Sequence, residues 1–167
     1  MLEARDQVKT EAFIFFHPDG NEDPNDIPKM ADLLRGGKEF VVASRMIKGA
    51  WNEEDDKFLR WRKWANIGLA KLANLFFARE GNRTTDITNG FRGITCDAFD
   101  RMKLTSRDLT MDYQMVIRAL KTGIPITEFP TKEGQRIAGG TTFPSLSTGW
   151  QEVKLLLKEI VIGRANL

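Results

Sequence analysis

The chain has 167 residues, 41% of them hydrophobic, and 25 Lys and Arg against 23 Asp and Glu leave a net charge of +2. That balance belongs to one globular domain and excludes a disordered or collagen-like chain, as well as a nucleic-acid binder that relies on bulk charge. A single Cys96 and a single His17 exclude an internal disulfide framework and a Cys- or His-rich metal site. No stretch approaches the roughly 18 uninterrupted apolar residues of a membrane span. Met1 to Asp6 lacks the apolar core of a signal peptide, so a cytoplasmic chain is expected, lying at most against the cytoplasmic face of a membrane.

After a short polar helix end at 2–10, Ala12-Phe13-Ile14-Phe15-Phe16 reads as a strand buried on both faces, the pattern of a central strand in a parallel sheet. It stops at His17-Pro18-Asp19-Gly20-Asn21-Glu22-Asp23-Pro24, a dense cluster of turn residues. Asn25 or Asp26 caps a helix that ends at Gly36-Gly37, and a second strand covers 39–44. Residues 1–45 thus read as a βαβ unit, and the loop after its first strand lies at the edge where open α/β sheets bind ligands.

An acidic loop at 46–56 leads into a helix over 57–78, where Trp61, Trp64, Gly68, Leu72 and Leu75 recur at helical spacing and predict its buried face. A strand over 91–95, helical turns at 97–102, a helix over 111–121 and a strand over 124–129 follow. After a glycine-rich loop comes a last amphipathic helix, 150–162, with Val153, Leu156, Leu157 and Ile160 as its apolar stripe. Cys96 reads as a small buried residue. Arg60-Trp61-Arg62-Lys63-Trp64 reads as a helix with a buried Trp face and a solvated basic face, with peripheral membrane contact as the alternative, and nucleic acid is not expected.

Chemistry concentrates at 17–24. His17, Asp19 and Asn21 alternate as the chain leaves a strand, and three such donors can share a divalent cation. The same residues also make an ordinary turn that starts a helix.

Five segments in order make a sharper pattern: His17 to Pro28; Val41-Val42-Ala43-Ser44-Arg45; Arg60 to Asn66; Thr85-Asp86-Ile87-Thr88-Asn89-Gly90-Phe91-Arg92; and Gly123 to Pro130, followed by Arg136-Ile137-Ala138-Gly139-Gly140. Together they resemble the family 2 glycosyltransferases, and within them the polyprenyl-phosphate, dolichyl-phosphate mannose synthase-like subgroup. The resemblance implies a partial nucleotide-diphospho-sugar transferase (GT-A, Rossmann-like) α/β fold with a mostly parallel sheet. It implies transfer of a sugar from a nucleotide-sugar donor to a polyprenyl phosphate or glycan acceptor, assisted by Mg²⁺ or Mn²⁺.

Carried over by position, Asp19 would hold the metal and diphosphate, with His17 and Asn21 as further metal ligands. Asp86 would be catalytic and, with Gly90, Phe91 and Arg92, would shape the sugar and acceptor pocket. Arg45, Arg60, Arg62 and Arg136 would face the acceptor phosphate, a task suited to the planar guanidinium.

His17 stands where the family usually has its first Asp. Family members also begin with strands that bind the nucleotide base, whereas this chain begins just before the metal loop. The expectation is therefore one N-terminally truncated domain over 1–167. It comprises the metal-loop unit at 1–45, an acceptor-side region at 46–149 and the C-terminal helix at 150–167. Two consequences follow: an uncovered sheet edge open to self-association, and, as the alternative function, a non-catalytic fragment that binds or assembles without a donor base pocket.

Overall fold

The computed structural model describes residues 5–17, 20–56, 60–134 and 145–163. Four strands form one sheet: β1 (Ala12–Phe15), β2 (Phe40–Ser44), β3 (Arg92–Thr95) and β4 (Ile126–Pro130), in the order β1-β3-β2-β4. β3 runs antiparallel to both β1 and β2, and β4 runs parallel to β2. Three strands therefore point the same way, and β3 alone is reversed. The connection from β1 to β2 passes through helix α1 (Asp26–Arg35) and skips one place in the sheet, which β3 fills.

β1 is an edge strand, half-buried along its length, and not the central strand that its apolar run predicts. The fully buried central strand is β2. Aromatic packing explains the difference. Phe13 and Phe15 meet each other and Phe99 at 5.1–6.5 Å between ring centroids, so β1's apolar residues are used on a helix rather than between two strands.

Side chains alternate along β2 and divide the core. Phe40 and Val42 enter the larger cluster with Ile94, Phe99, Met115 and Leu120. Val41 and Ala43 pack on the other face with Met30 of α1, Phe91 and Phe129. Helices thus cover both faces: α1 on one, and α2 (Trp61–Phe77), α3 (Cys96–Arg101), α4 (Met111–Thr122) and α5 (Ser145–Ile162) on the other. Thr95 caps α3 by accepting from the Ala98 amide, and Gly123 ends α4 at φ 75°, where a Cβ would be strained.

One helix is rotated from the face that periodicity predicts. On α2 the buried residues are Asn66, Leu69, Ala70, Ala73 and Phe77, whereas Trp64 is 60% and Leu75 75% exposed. α2 is apolar around most of its circumference, so spacing alone cannot choose a side. A polar residue chooses it: the buried Asn66 donates to Asp86 Oδ1 at 2.7 Å and accepts from the Ile87 amide at 3.1 Å. On α5 the predicted stripe largely holds: Leu156 is buried and Val153 and Ile160 pack against the core beside Leu155, while Leu157 faces outward. The buried Glu159 lies on the same inward face and pairs with Arg118 and Lys121 of α4. Cys96 is half-buried, and its Sγ donates to the Thr10 carbonyl at 3.1 Å.

Among the described residues, no helix is long and apolar enough to cross a membrane.

Candidate functional site

Strand direction decides what meets at one edge of the sheet. β1 and β2 end there, delivering His17 and Arg45. β4 ends there as well and leads to Glu133. The reversed β3 begins there, so Gly90 and Phe91 arrive from its other side. The N-terminus of α4 adds Asp112 and Tyr113. These groups surround a cavity of about 350 Å³, which α2 borders with Trp61 and Arg62 and α5 with Glu152.

Its floor is an ion network. Arg45 donates from Nε to Asp86 Oδ2 at 2.8 Å and from Nη2 to Asp86 Oδ1 at 2.9 Å, and its backbone amide adds a third bond at 3.0 Å. Nη1 reaches Glu133 at 3.2 Å. Asn21 and Asn52 also donate to Glu133, at 3.0 and 3.3 Å. Burial alone would raise the Asp86 carboxyl. The charge and hydrogen bonds of Arg45, with the Asn66 amide, outweigh it and hold Asp86 below the usual carboxylate range. Glu133 is pushed up, because burial and the nearby Glu53 and Asp86 outweigh its share of Arg45. Behind the floor, the Glu128 carboxylate accepts from the Thr84 and Thr85 hydroxyls at 2.8 and 2.7 Å and fixes the loop that carries Asp86.

The sequence-predicted residues divide into those on the cavity wall and those beneath it. His17, Asn21, Arg45, Arg62 and Gly90 line it. The His17 ring bonds Glu22 through Nδ1 at 2.9 Å and lies against Gly90, where an added Cβ would sit 2.0 Å from Cε1. That close approach is what requires glycine at 90. Asp86, Phe91 and Arg92 are fully buried. Arg92 donates to the carbonyls of Asp112, at 2.7 Å, and Asn89, so its guanidinium braces the cavity wall from behind and does not reach out to a substrate. Arg60 and Arg62 are engaged by the acidic loop: Arg60 with Asp55, Arg62 with Glu53 and Glu54. Asp19 and Arg136 lie outside the described residues.

Within the 17–24 loop, the buried Asn21 Oδ1 is a hard donor suited to a metal ion, and it has no hydrogen-bond partner among the described residues. No cluster of three or more His, Cys, Asp or Glu able to hold an ion occurs among them. His17 is already oriented by Glu22. The described residues therefore fit part of a cation site, and Asp19 would have to complete it.

Glu22, Asn66, Glu133, Tyr113 and Glu152 are site residues that sequence reading misses. Glu22 and Asn66 lie inside segments of the five-part pattern. Nothing in the local sequence singles out Glu133, Tyr113 or Glu152, which reach the cavity only through packing.

No family model matches the chain. Two proteins of Haloferax volcanii are similar to it. Glycosyltransferase AglJ is 27% identical over 142 residues, covering 82% of this chain and 43% of the relative. A dolichyl-phosphate hexose transferase is 26% identical over 141 residues, covering 84% of this chain and 58% of the relative. The chain spans about half the length of the curated relatives it matches. The mixed α/β architecture is compatible with part of a GT-A-like fold. Over most of its length, then, the chain is a homologue of archaeal glycosyltransferases and resembles the family 2 polyprenyl-phosphate group.

Proposed function

We propose that the chain serves the transfer of a sugar from a nucleotide-diphospho-sugar to a lipid-linked phosphate. The observation that carries this reading is the Arg45–Asp86–Glu133 network at the convergence of the strand ends, within a stretch homologous to two sugar transferases. An acceptor phosphate oxygen attacks the anomeric carbon, the bond from that carbon to the donor's diphosphate oxygen breaks, and the nucleoside diphosphate leaves with the electron pair. An acceptor phosphate is already ionised, so no general base is required of the protein.

The roles of Arg45, Arg62 and Asn21 are read from their placement, and those of Asp19 and Arg136 from the family resemblance alone. Arg45 is paired with two carboxylates, so it holds Asp86 and Glu133 in fixed positions at the cavity floor before a ligand arrives. Arg62 on the wall, with Arg136, would meet phosphate charge. A Mg²⁺ or Mn²⁺ ion on Asp19 and Asn21 would supply Lewis-acid neutralisation of the leaving diphosphate.

The outer surface supports a lipid-linked acceptor. Trp61, Trp64, Leu72, Leu75 and Phe76 of α2 and Trp150, Leu157 and Val161 of α5 are exposed, and Arg62 and Lys154 lie over the rings of Trp61 and Trp150 at 5.8 and 5.7 Å. Tryptophan beside basic side chains matches the membrane interface.

The test is a transfer assay with radiolabelled UDP- and GDP-sugars and a short polyprenyl phosphate, with and without Mn²⁺. Label moving into the organic phase, lost in Asp86→Ala and Asp19→Ala, is the expected result. A folded chain that leaves all label in the aqueous phase overturns the reading and favours a binding or assembly role.

A further inference from the structure

One corner of the cavity is not used by the floor network. We propose that Asp112, Tyr113 and Glu152, at the start of α4 and on the facing turn of α5, form a subsite for a neutral sugar ring through its hydroxyl groups. This deepens the sugar-transfer reading and rests on it for the identity of the site.

Three groups point to a ligand. Tyr113 is 1% exposed, lines the cavity, and its hydroxyl has no hydrogen-bond partner among the described residues. Asp112 Oδ1 forms an ion pair with the buried Arg92, whose Nε lies 3.7 Å away, but it accepts no hydrogen bond among the described residues. Glu152 faces them from α5, nearly buried on the same wall. Leaving buried polar groups unpaired costs roughly 1–3 kcal/mol each, so a ligand that pairs them gains that difference.

The chemistry selects among ligands. Burial and the Asp112 charge push the Glu152 carboxyl up to about 7. The corner therefore offers the Asp112 carboxyl group, a Glu152 carboxyl that near neutrality can donate, and a phenol that both donates and accepts. Sugar hydroxyls, each a donor and an acceptor, match this set. A phosphate would be repelled by Asp112. A divalent cation needs more oxygen ligands than one carboxylate, and no cluster of three acidic, His or Cys groups occurs here among the described residues. Trp61, Leu69 and Leu109 supply apolar wall for the C–H faces of a ring.

The test uses free methyl α-glucoside and methyl α-mannoside with the 167-residue chain, in saturation-transfer NMR without nucleotide, acceptor or metal. Ring-proton saturation is expected, with affinity about tenfold weaker in Asp112→Asn. Tyr113→Phe, which keeps the packed ring, should weaken it in the same direction. No saturation by either glycoside, or equal saturation in wild type and both variants, overturns the subsite. So does Mn²⁺ that displaces the glycosides and is itself lost in Asp112→Asn, since that makes the corner a cation site. Glycoside binding that obeys these variants in a chain without transfer activity supports the subsite while the transfer reading falls.

Discussion

Two buried ionic clusters hold this molecule together, and they differ in what they leave open. Between α4 and α5, Glu159 accepts from Lys121 at 2.7 Å, Arg118 at 3.0 Å and Gln114 at 2.9 Å. Burial would raise its carboxyl, but these partners outweigh burial and hold it low. Arg118 continues to the Met102 and Lys103 carbonyls. This cluster closes on itself and acts as a clamp between helices. Beneath the cavity, Arg45 faces two carboxylates, Asp86 and Glu133, and further acidic groups line the wall above. A cluster with surplus charge and orphaned polar atoms beside a cavity is built for a ligand; a closed one is built for the fold.

The comparison is tested most severely at the clamp. Glu159→Ala leaves two cations buried without their carboxylate and should lower stability by about 3–5 kcal/mol, read from urea melts. A loss well under that range would mean that water or rearrangement relieves the cations and that the clamp is not closed.

At the floor, Asp86→Ala should cost about 3 kcal/mol by the same mechanism, and Asp86→Asn less, because the side chain keeps its shape. The sharper distinction lies in function: Asp86→Asn should abolish transfer while the folded fraction stays high. Transfer that merely follows the folded fraction would make the floor a second clamp.

The acid responses separate the regions further. Asp86 and Glu159 have lowered pKa values, so their contribution is present above the ordinary carboxylate value and lost as pH falls through the folded one. Glu152 has the opposite sign. Its carboxyl is raised from 4.5 to about 7, so the native state binds more protons and stability falls as pH rises through that interval. Glu152→Gln should therefore raise stability by about 2 kcal/mol at pH 8 and leave it unchanged near pH 4. Melting curves at the two pH values check this, and an equal gain at both would assign the effect to packing.

The smallest effect is expected at Gly90. An alanine there pushes the His17 ring away and should cost about 1 kcal/mol. The readout is the His17 ring resonance, which should shift as its bond to Glu22 is disturbed. An unmoved resonance would detach His17 from the cavity wall.

Much of the architecture was legible in the linear chain. The turn cluster after the first apolar run was recognisable from residue type, because local backbone chemistry sets it, whereas the Ser44-Arg45 strand end, Asp86 and the Gly90-Phe91-Arg92 turn were picked out by resemblance to a known family. Helix α4 and its Gly123 stop were legible from local backbone chemistry too. Strand order was not: nothing in Arg92–Thr95 announces that β3 runs against its neighbours and separates β1 from β2. Nor was the rotation of α2. Apolar residues surround that helix, and its inward face was chosen by the buried Asn66, whose partners lie 20 and 21 positions away.

The sequence by itself determined the elements, the α/β class and the kinship with sugar transferases, since these depend on local pattern. Only the tertiary structure decided that Arg92 is a brace and that Glu133, Tyr113 and Glu152 share a cavity with Arg45. Burial and pairing are properties of contacts between distant residues, and no spacing along the chain encodes them.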